Sequence, residues 1–346
     1  MNWHTGLSII LLAACSSAPP DTDRKEVVTR SWPAATTEVR TIRFDDDGAR
    51  ILWASAARLG WMNLDTGETG EAGTGESAAG DVVAAMFSHT GDRVFLATGR
   101  VLASYFLDGG EVETIAECDG PIAALAVHPL ETHAIVVTRS GKRREIALVD
   151  RRWHEQPVGP WWIDAIYSRD GDAVIAAADD RIYELRRAEA GLMPPRLLLD
   201  ATEIGVTCLA RGSGDSILFG GFGGVYCLTP GEPGPQRLGA GTETPMTWTT
   251  RLASSRDGQV IAAADTGVIR VWRIGDDLTP RLNIEQAWEA TADSGRAREP
   301  IGCLAVAPDG RWVVAGCGVP GPRTIWHHEV DNADRTPQPA ALPAVR

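Results

Sequence analysis

The chain is 346 residues long, with a formal net charge of −13 and 23% charged residues. Binding nucleic acid through its phosphate backbone needs concentrated positive charge, and no basic run here is longer than Lys142-Arg143-Arg144, so that class of partner is excluded. No apolar run reaches the roughly 18 to 20 residues that a membrane-spanning helix requires.

The chain opens on an apolar run, residues 6–14, that ends in Leu12-Ala13-Ala14-Cys15 and is followed by Ser16-Ser17-Ala18-Pro19-Pro20 and a polar stretch to Lys25. Small residues before a cysteine, then a polar tether, resemble the lipobox of bacterial lipoprotein signal peptides. The resemblance implies a signal peptide with its lipobox cysteine over 1–15, cleaved so that Cys15 becomes the lipidated first residue of the mature chain, and a flexible tether 16–25. It also implies a cell-envelope domain facing the periplasm or exterior that touches membrane only through its anchor. Ser16 after the cysteine is similar to the outer-membrane sorting pattern. No Lys or Arg precedes the apolar core, where only the amino group and His4 supply positive charge. The alternative is a short leader before a cytoplasmic domain.

Residues 26–32 (EVVTRSW) form an isolated β-prone stretch, after which the chain repeats itself. The copies are TIRFDDDGARILWAS from Thr41, AAMFSHTGDRVFLAT from Ala84, AALAVHPLETHAIVV from Ala123, DAIYSRDGDAVIAAA from Asp164, TCLARGSGDSILFGG from Thr207, RLASSRDGQVIAAAD from Arg251 and CLAVAPDGRWVVAG from Cys303. Turn glycines Gly48, Gly91, Gly171, Gly214, Gly258 and Gly310 stand 43, 80, 43, 44 and 52 residues apart; the 80 spans two periods, the third copy having lost its glycine near Glu131. A period near 40 to 45 residues with four short strands per copy is the pattern of a β-propeller. In the first copy, 40–44 alternates with Ile42 and Phe44 on one face, residues 45–48 supply a tight turn, 51–54 returns, 59–64 is the third strand and a polar fourth follows Asp65-Thr66-Gly67.

The last copy supplies three strands, 301–306, 311–315 and 323–330. The expected fold is therefore all-β: a seven-bladed propeller of four-stranded antiparallel blades over 26–330, with the strand 26–32 completing the last blade by pairing with its third strand. Residues 331–346, rich in Pro and Ala, are expected to form a disordered tail.

The turns Ser168-Arg169-Asp170-Gly171, Ser255-Arg256-Asp257-Gly258 and Ala307-Pro308-Asp309-Gly310 are similar to the S-P-D-G turn of WD-repeat propellers, and residues 264–273 (ADTGVIRVWR) resemble the family's D-G-x-V-x-x-W-D ending. Arg273 stands where that family has Asp, and no Gly-His dipeptide opens a copy, so the buried Asp-His-Ser-Trp hydrogen-bond set is expected to be missing. The resemblance implies a protein-binding platform.

Chemistry-bearing motifs are sparse. Besides Cys15 there are Cys118, Cys208, Cys227, Cys303 and Cys317, an odd number without a CxxC, which supports neither a disulfide framework nor a zinc site. Cys208 and Cys227 fall on the first and third strands of one blade, roughly 9 to 10 Å apart, too far to bond. His89 and His128 occupy turns, His133 closes the third copy's turn, and the adjacent His327 and His328 point to opposite strand faces. No GxSxG, HExxH or phosphate-loop pattern occurs, and no cofactor or metal is expected.

Tryptophans mark the connections that leave each fourth strand: Trp32, Trp161, Trp162, Trp248 and Trp288 are the expected partner-binding residues. Asp119, Glu203, Glu243, Glu289 and Asp293 share those connections, and 289–300 is the longest of them. The sequence thus reads as a non-catalytic interaction scaffold that binds a protein or peptide at the propeller rim. The alternatives are an envelope hydrolase or lyase with a site assembled in the channel, and a cytoplasmic scaffold of the same fold.

Overall fold

The computed structural model describes residues 6–13, 29–33, 39–56, 58–73, 81–109, 112–155, 161–188, 191–238, 248–265, 268–274, 280–287, 301–317 and 324–329. The chain is an all-β propeller. Blade 1 consists of Val39–Phe44, Arg50–Ser55, Arg58–Asn63 and Thr69–Gly73, joined antiparallel in that order. The same four-stranded antiparallel order recurs in blade 2 over 82–117, blade 3 over 122–155, blade 4 over 162–200, blade 5 over 208–237 and blade 6 over 251–287. Blade 4 adds a short hairpin at Gly191–Leu192, and blade 5 ends in a two-residue outer strand, Gln236–Arg237.

Ile301–Val306, Trp312–Cys317 and Thr324–Glu329 form an antiparallel end sheet between blade 6 and blade 1. Its completion differs from expectation. The strand beside Thr324–Glu329 is Gly6–Ala13, which runs parallel to it, while Thr29–Pro33 pairs antiparallel with Gly6–Ala13 one place farther out. The physical reason lies in composition: GLSIILLA is eight residues without a charge and rich in β-branched and aliphatic side chains, whereas the reserved stretch EVVTRSW carries Glu26 and Arg30.

Packing follows the period of two along each strand. Leu52 and Ala54 of blade 1 join Val82, Val94 and Leu96 of blade 2, while their neighbours Ile51 and Trp53 join Cys303 and Val314 of the end sheet. Every other cluster has the same form: Leu102 with Ile122 and Val136, Ile135 with Trp162 and Val174, Ile182 with Leu209 and Phe219, Leu218 with Ile261 and Trp272, Val260 with Leu304 and Val313. The fourth strands are wetter, as Val112–Glu117 and Arg196–Asp200 illustrate.

The innermost strands share a bulge after their first residue, at Val39/Thr41, Val82/Ala84, Ile122/Ala124, Trp162/Asp164 and Ile301/Cys303. The bulge leaves one residue unpaired and bends the strand. In blade 4 that residue is Ile163, 50% exposed.

The first turns hold their glycines at positive φ, and in the third copy Glu131 adopts φ 53° in the glycine's place. A left-handed non-glycine residue costs about 1–2 kcal/mol. Here the Glu131 carboxylate accepts from the backbone N–H of His89 and from Arg93 at 3.1 Å, contacts that glycine could not make. Trp272 is buried, and its Nε1 finds no acceptor among the described residues, so the expected loss of the family's buried hydrogen-bond set is seen in blade 6.

Gly258 turns at φ 73°, and a Cβ there would run into the backbone of Gly212 and Ser213 in blade 5. Gly258→Ala is expected to lower unfolding free energy by about 1–3 kcal/mol, measured by urea denaturation. Gly234→Ala, where a Cβ meets nothing within 4 Å, should leave the midpoint unchanged.

Candidate functional site

At one mouth of the ring lie the turns between second and third strands and the connections that lead into each first strand. Trp161, just ahead of blade 4, is 57% exposed, whereas its neighbour Trp162 is 1% exposed. Consecutive strand residues face opposite ways. Trp162 packs among Ile135, Val137 and Val174, with the Arg143 guanidinium 4.7 Å from its ring, and is therefore core and unavailable to a partner. Trp248 is 44% exposed and faces Phe222, which is 60% exposed, with ring centroids 6.2 Å apart.

Local backbone contacts fix that pair. Phe222 sits on the blade 5 turn, donates its N–H to Ile204 at 2.7 Å and accepts at its carbonyl from the Tyr226 hydroxyl at 2.7 Å. Phe222 and Trp248 also form an isolated antiparallel bridge, and Gly205 lies beneath the Trp248 ring. The composition of Phe222's turn gave no signal of this role; its exposure in three dimensions does. Trp32 lies on the strand Thr29–Pro33, and Trp288 lies outside the described residues.

Of the acidic residues expected at the rim, Asp119 is ion-paired. Asp119 is held by Lys142 at 3.1 Å and Arg144 at 2.8 Å, and the Lys142 hydrogen bond is the main cause that lowers its pKa. Glu203 is exposed; Glu243, Glu289 and Asp293 lie outside the described residues.

At the opposite mouth, residues of the first turns reach one another across the ring. Asp46 of blade 1 pairs with His89 of blade 2 and with Arg256 of blade 6 at 3.0 Å. Arg169 of blade 4 donates to the Arg256 carbonyl at 2.9 Å, and Arg256 N–H donates to Pro308 of the end sheet at 2.9 Å. The contacts Asp46–Arg256 and Arg169–Arg256 each skip a neighbouring sheet, so they bridge the mouth.

Between the mouths, the innermost strands present Arg43, Asp164 and Arg251. Asp164 Oδ2 accepts from Leu209 N–H at 2.8 Å and Oδ1 from Ala165 N–H at 2.9 Å. Burial raises the Asp164 pKa against the pull of those bonds, and burial lowers that of Arg43. A carboxylate whose two oxygens are both engaged by backbone N–H groups is poorly placed to transfer protons. Nor is a nucleophile prepared nearby, since burial pushes the Cys208 thiol up to about 12. Cys118, Cys208, Cys227 and Cys303 are free and buried. Among the described residues no group of three or more His, Cys, Asp or Glu is placed to hold a metal ion.

Between blades 3 and 4, His128 packs edge-on to Tyr167 at 5.2 Å and to His133 at 6.3 Å, beside the buried ion pair Glu145–Arg187. Both histidines thus belong to an interior cluster; His128, only 7% exposed, is not a surface turn residue.

No protein-family model matches the sequence, and no curated protein matches it. Solved structures do. The crystal structure of the RRP9 WD40 repeats is similar with TM-score 0.65 at 14% identity, over 82% of this chain and 88% of that one. The β-propeller domain of Myceliophteria thermophila Cps50 (Swd1) gives TM-score 0.62 at 13% identity, over 84% and 96%. U3-55K gives 0.64 at 13%, over 82% and 90%. These likenesses define the class of fold: a β-propeller with four-stranded antiparallel blades.

The histidine cluster generates a pH prediction. Burial beside Arg187 and His128 lowers His133 from 6.5 to about 4. As pH falls below 6.5 the unfolded chain takes a proton that folded His133 refuses until about 4, so the group removes stability through that window. Urea midpoints measured from pH 7 to 4 are expected to fall less steeply for His133→Gln than for the unmodified chain.

Proposed function

We propose that this chain is a non-catalytic interaction scaffold, a seven-bladed propeller that holds a protein or peptide on the rim spanning blades 4 to 6 and is tethered to a bacterial envelope by a lipid on Cys15. The observation that carries the reading is the exposed Phe222–Trp248 pair, with Trp161 on the same mouth. Large exposed aromatics rimmed by polar groups are frequent anchors for partners, because they bury much area at small entropic cost. The likeness to WD40 propellers supports a binding platform.

The end sheet counts as the seventh blade in this reading. Removal of residues 1–14 would vacate the position beside Thr324–Glu329, and Thr29–Pro33, already one place away, is the strand left to fill it. The ring would then be fastened by its own ends, as in other closed propellers.

A soluble form beginning at Ser16 should capture a protein from envelope extracts, and the Phe222→Ser/Trp248→Ser double variant should lose it at an unchanged unfolding midpoint; equal capture by both sinks the rim assignment. In cells, Cys15→Ser should move the protein from the membrane to the soluble fraction. Backbone amides of residues 29–32 should exchange more slowly with deuterium in the Ser16 form than in the full chain if that strand moves inward.

A further inference from the structure

Arg43 and Arg251 rise from blades 1 and 6, and both influence the ionisation of Asp164 on blade 4. A place near the ring axis brings side chains of those three blades into electrostatic reach. Arg43 and Arg251 are both exposed residues, while protein surrounds the Arg43 guanidinium closely enough to disfavour its charge, as in a narrow open channel.

Their hydrogen bonds leave capacity unspent. Arg43 gives one N–H to its own Ile42 carbonyl at 2.9 Å; Arg251 gives two, to Gly302 at 2.6 Å and Thr250 at 2.7 Å. The rest of each donor fork meets no acceptor among the described residues, and the one carboxylate in reach is engaged by backbone N–H groups. Deeper in the ring, Arg211 lies near Arg169 and Arg256, with Asp46 as its counter-charge. Positive charge therefore exceeds negative along the axis of a chain whose net charge is −13. Low-dielectric walls focus that local field, and a guanidinium fork matches planar oxyanions.

We propose that the propeller channel is an oxyanion site in which Arg43 and Arg251 together hold a carboxylate or phosphate group. The group arrives free or as part of a peptide, through the mouth bordered by Trp161 and Ile163, since the other mouth is bridged by Asp46, His89, Arg169 and Arg256. This goes beyond the rim reading and stands without it: the rim is tested by Phe222 and Trp248, the channel by other residues.

The test is a thermal-shift and calorimetric titration of the full chain at constant ionic strength. One arm uses inorganic phosphate, one uses acetate, and one compares a short peptide bearing a free C-terminal carboxylate with its amide. Saturable stabilisation by millimolar phosphate or by the free-acid peptide is expected, weakened at least about tenfold in Arg43→Gln and in Arg251→Gln, because each removes charge-assisted hydrogen bonds. Arg152→Gln, far out on blade 3 and 79% exposed at its side chain, should respond as the unmodified chain does. Preference for the free-acid peptide over phosphate and acetate assigns the site to a partner's carboxylate; the reverse assigns it to a free anion. Arg43→Lys, which keeps the charge and loses the fork, should bind with intermediate affinity and serves if the glutamine variant misfolds. No saturable response in the unmodified chain, or an equal one in a folded Arg43 variant, overturns the proposal.

Discussion

Each blade has two apolar faces and no means of covering either alone. In Arg50–Ser55 the alternation sends Leu52 and Ala54 toward one neighbour and Ile51 and Trp53 toward the other, and the same division runs through every sheet described. Burying one such aliphatic side chain contributes about 1.5–3 kcal/mol against a conformational entropy loss of similar scale, so no single interface stabilises its sheets. The ring does so because each strand is counted in two clusters. A defect such as a lost Trp53 or Trp162 is thereby felt by two sheets at once, which couples the blades into a cooperative whole.

Polar contacts act on this frame in a different way. The ion pairs that bridge one mouth are exposed, with Asp46 at 45% and Arg256 at 57%, and such pairs contribute little each. Their value lies in register. Asp46, His89, Arg169 and Arg256 all occupy the second position of a first turn, where the repeat allows any residue that tolerates the backbone. That one variable position, presented by several blades to a common opening, is enough to lace the turns together.

Periodicity in sequence carried the blade order, the strand phases and the place of the missing glycine, because all three are local and repeated. Glu131 shows the limit of local reading: its φ 53° follows from the turn, but the reason for glutamate rather than glycine is a pair of donors 42 and 38 residues away. The division between Trp161 and Trp162 follows from strand alternation, yet which of them turns inward depends on the Arg143 side chain of the preceding blade. Phe222 gave no sign in one dimension, since a lone aromatic in a glycine-rich hairpin reads as core. The end sheet was misread for a related reason: the apolar run 6–14 read as a leader, which left 26–32 as the one strand on offer, whereas Gly6–Ala13 is the strand beside Thr324–Glu329. The channel trio was invisible as a motif because Arg43, Asp164 and Arg251 come from different copies, which only the fold brings into electrostatic reach.

The two mouths differ in what they leave unsatisfied. At the bridged mouth, carboxylates and guanidiniums satisfy one another, and the Arg256 N–H and carbonyl are both engaged as well. At the other, Asp119 is neutralised by Lys142 and Arg144 while Trp161, Ile163, Phe222 and Trp248 stand in water. Charges can be screened by salt, but exposed apolar area has no such remedy and is relieved only by contact with another surface. A mouth where Asp119 is paired and these apolar groups stand in water differs from the bridged one in leaving apolar area, rather than charge, uncovered. Below it, Arg43 and Arg251 spend only part of their donor capacity on backbone carbonyls, so the rim and the channel differ in what each leaves unsatisfied: apolar area at the one, guanidinium N–H groups at the other.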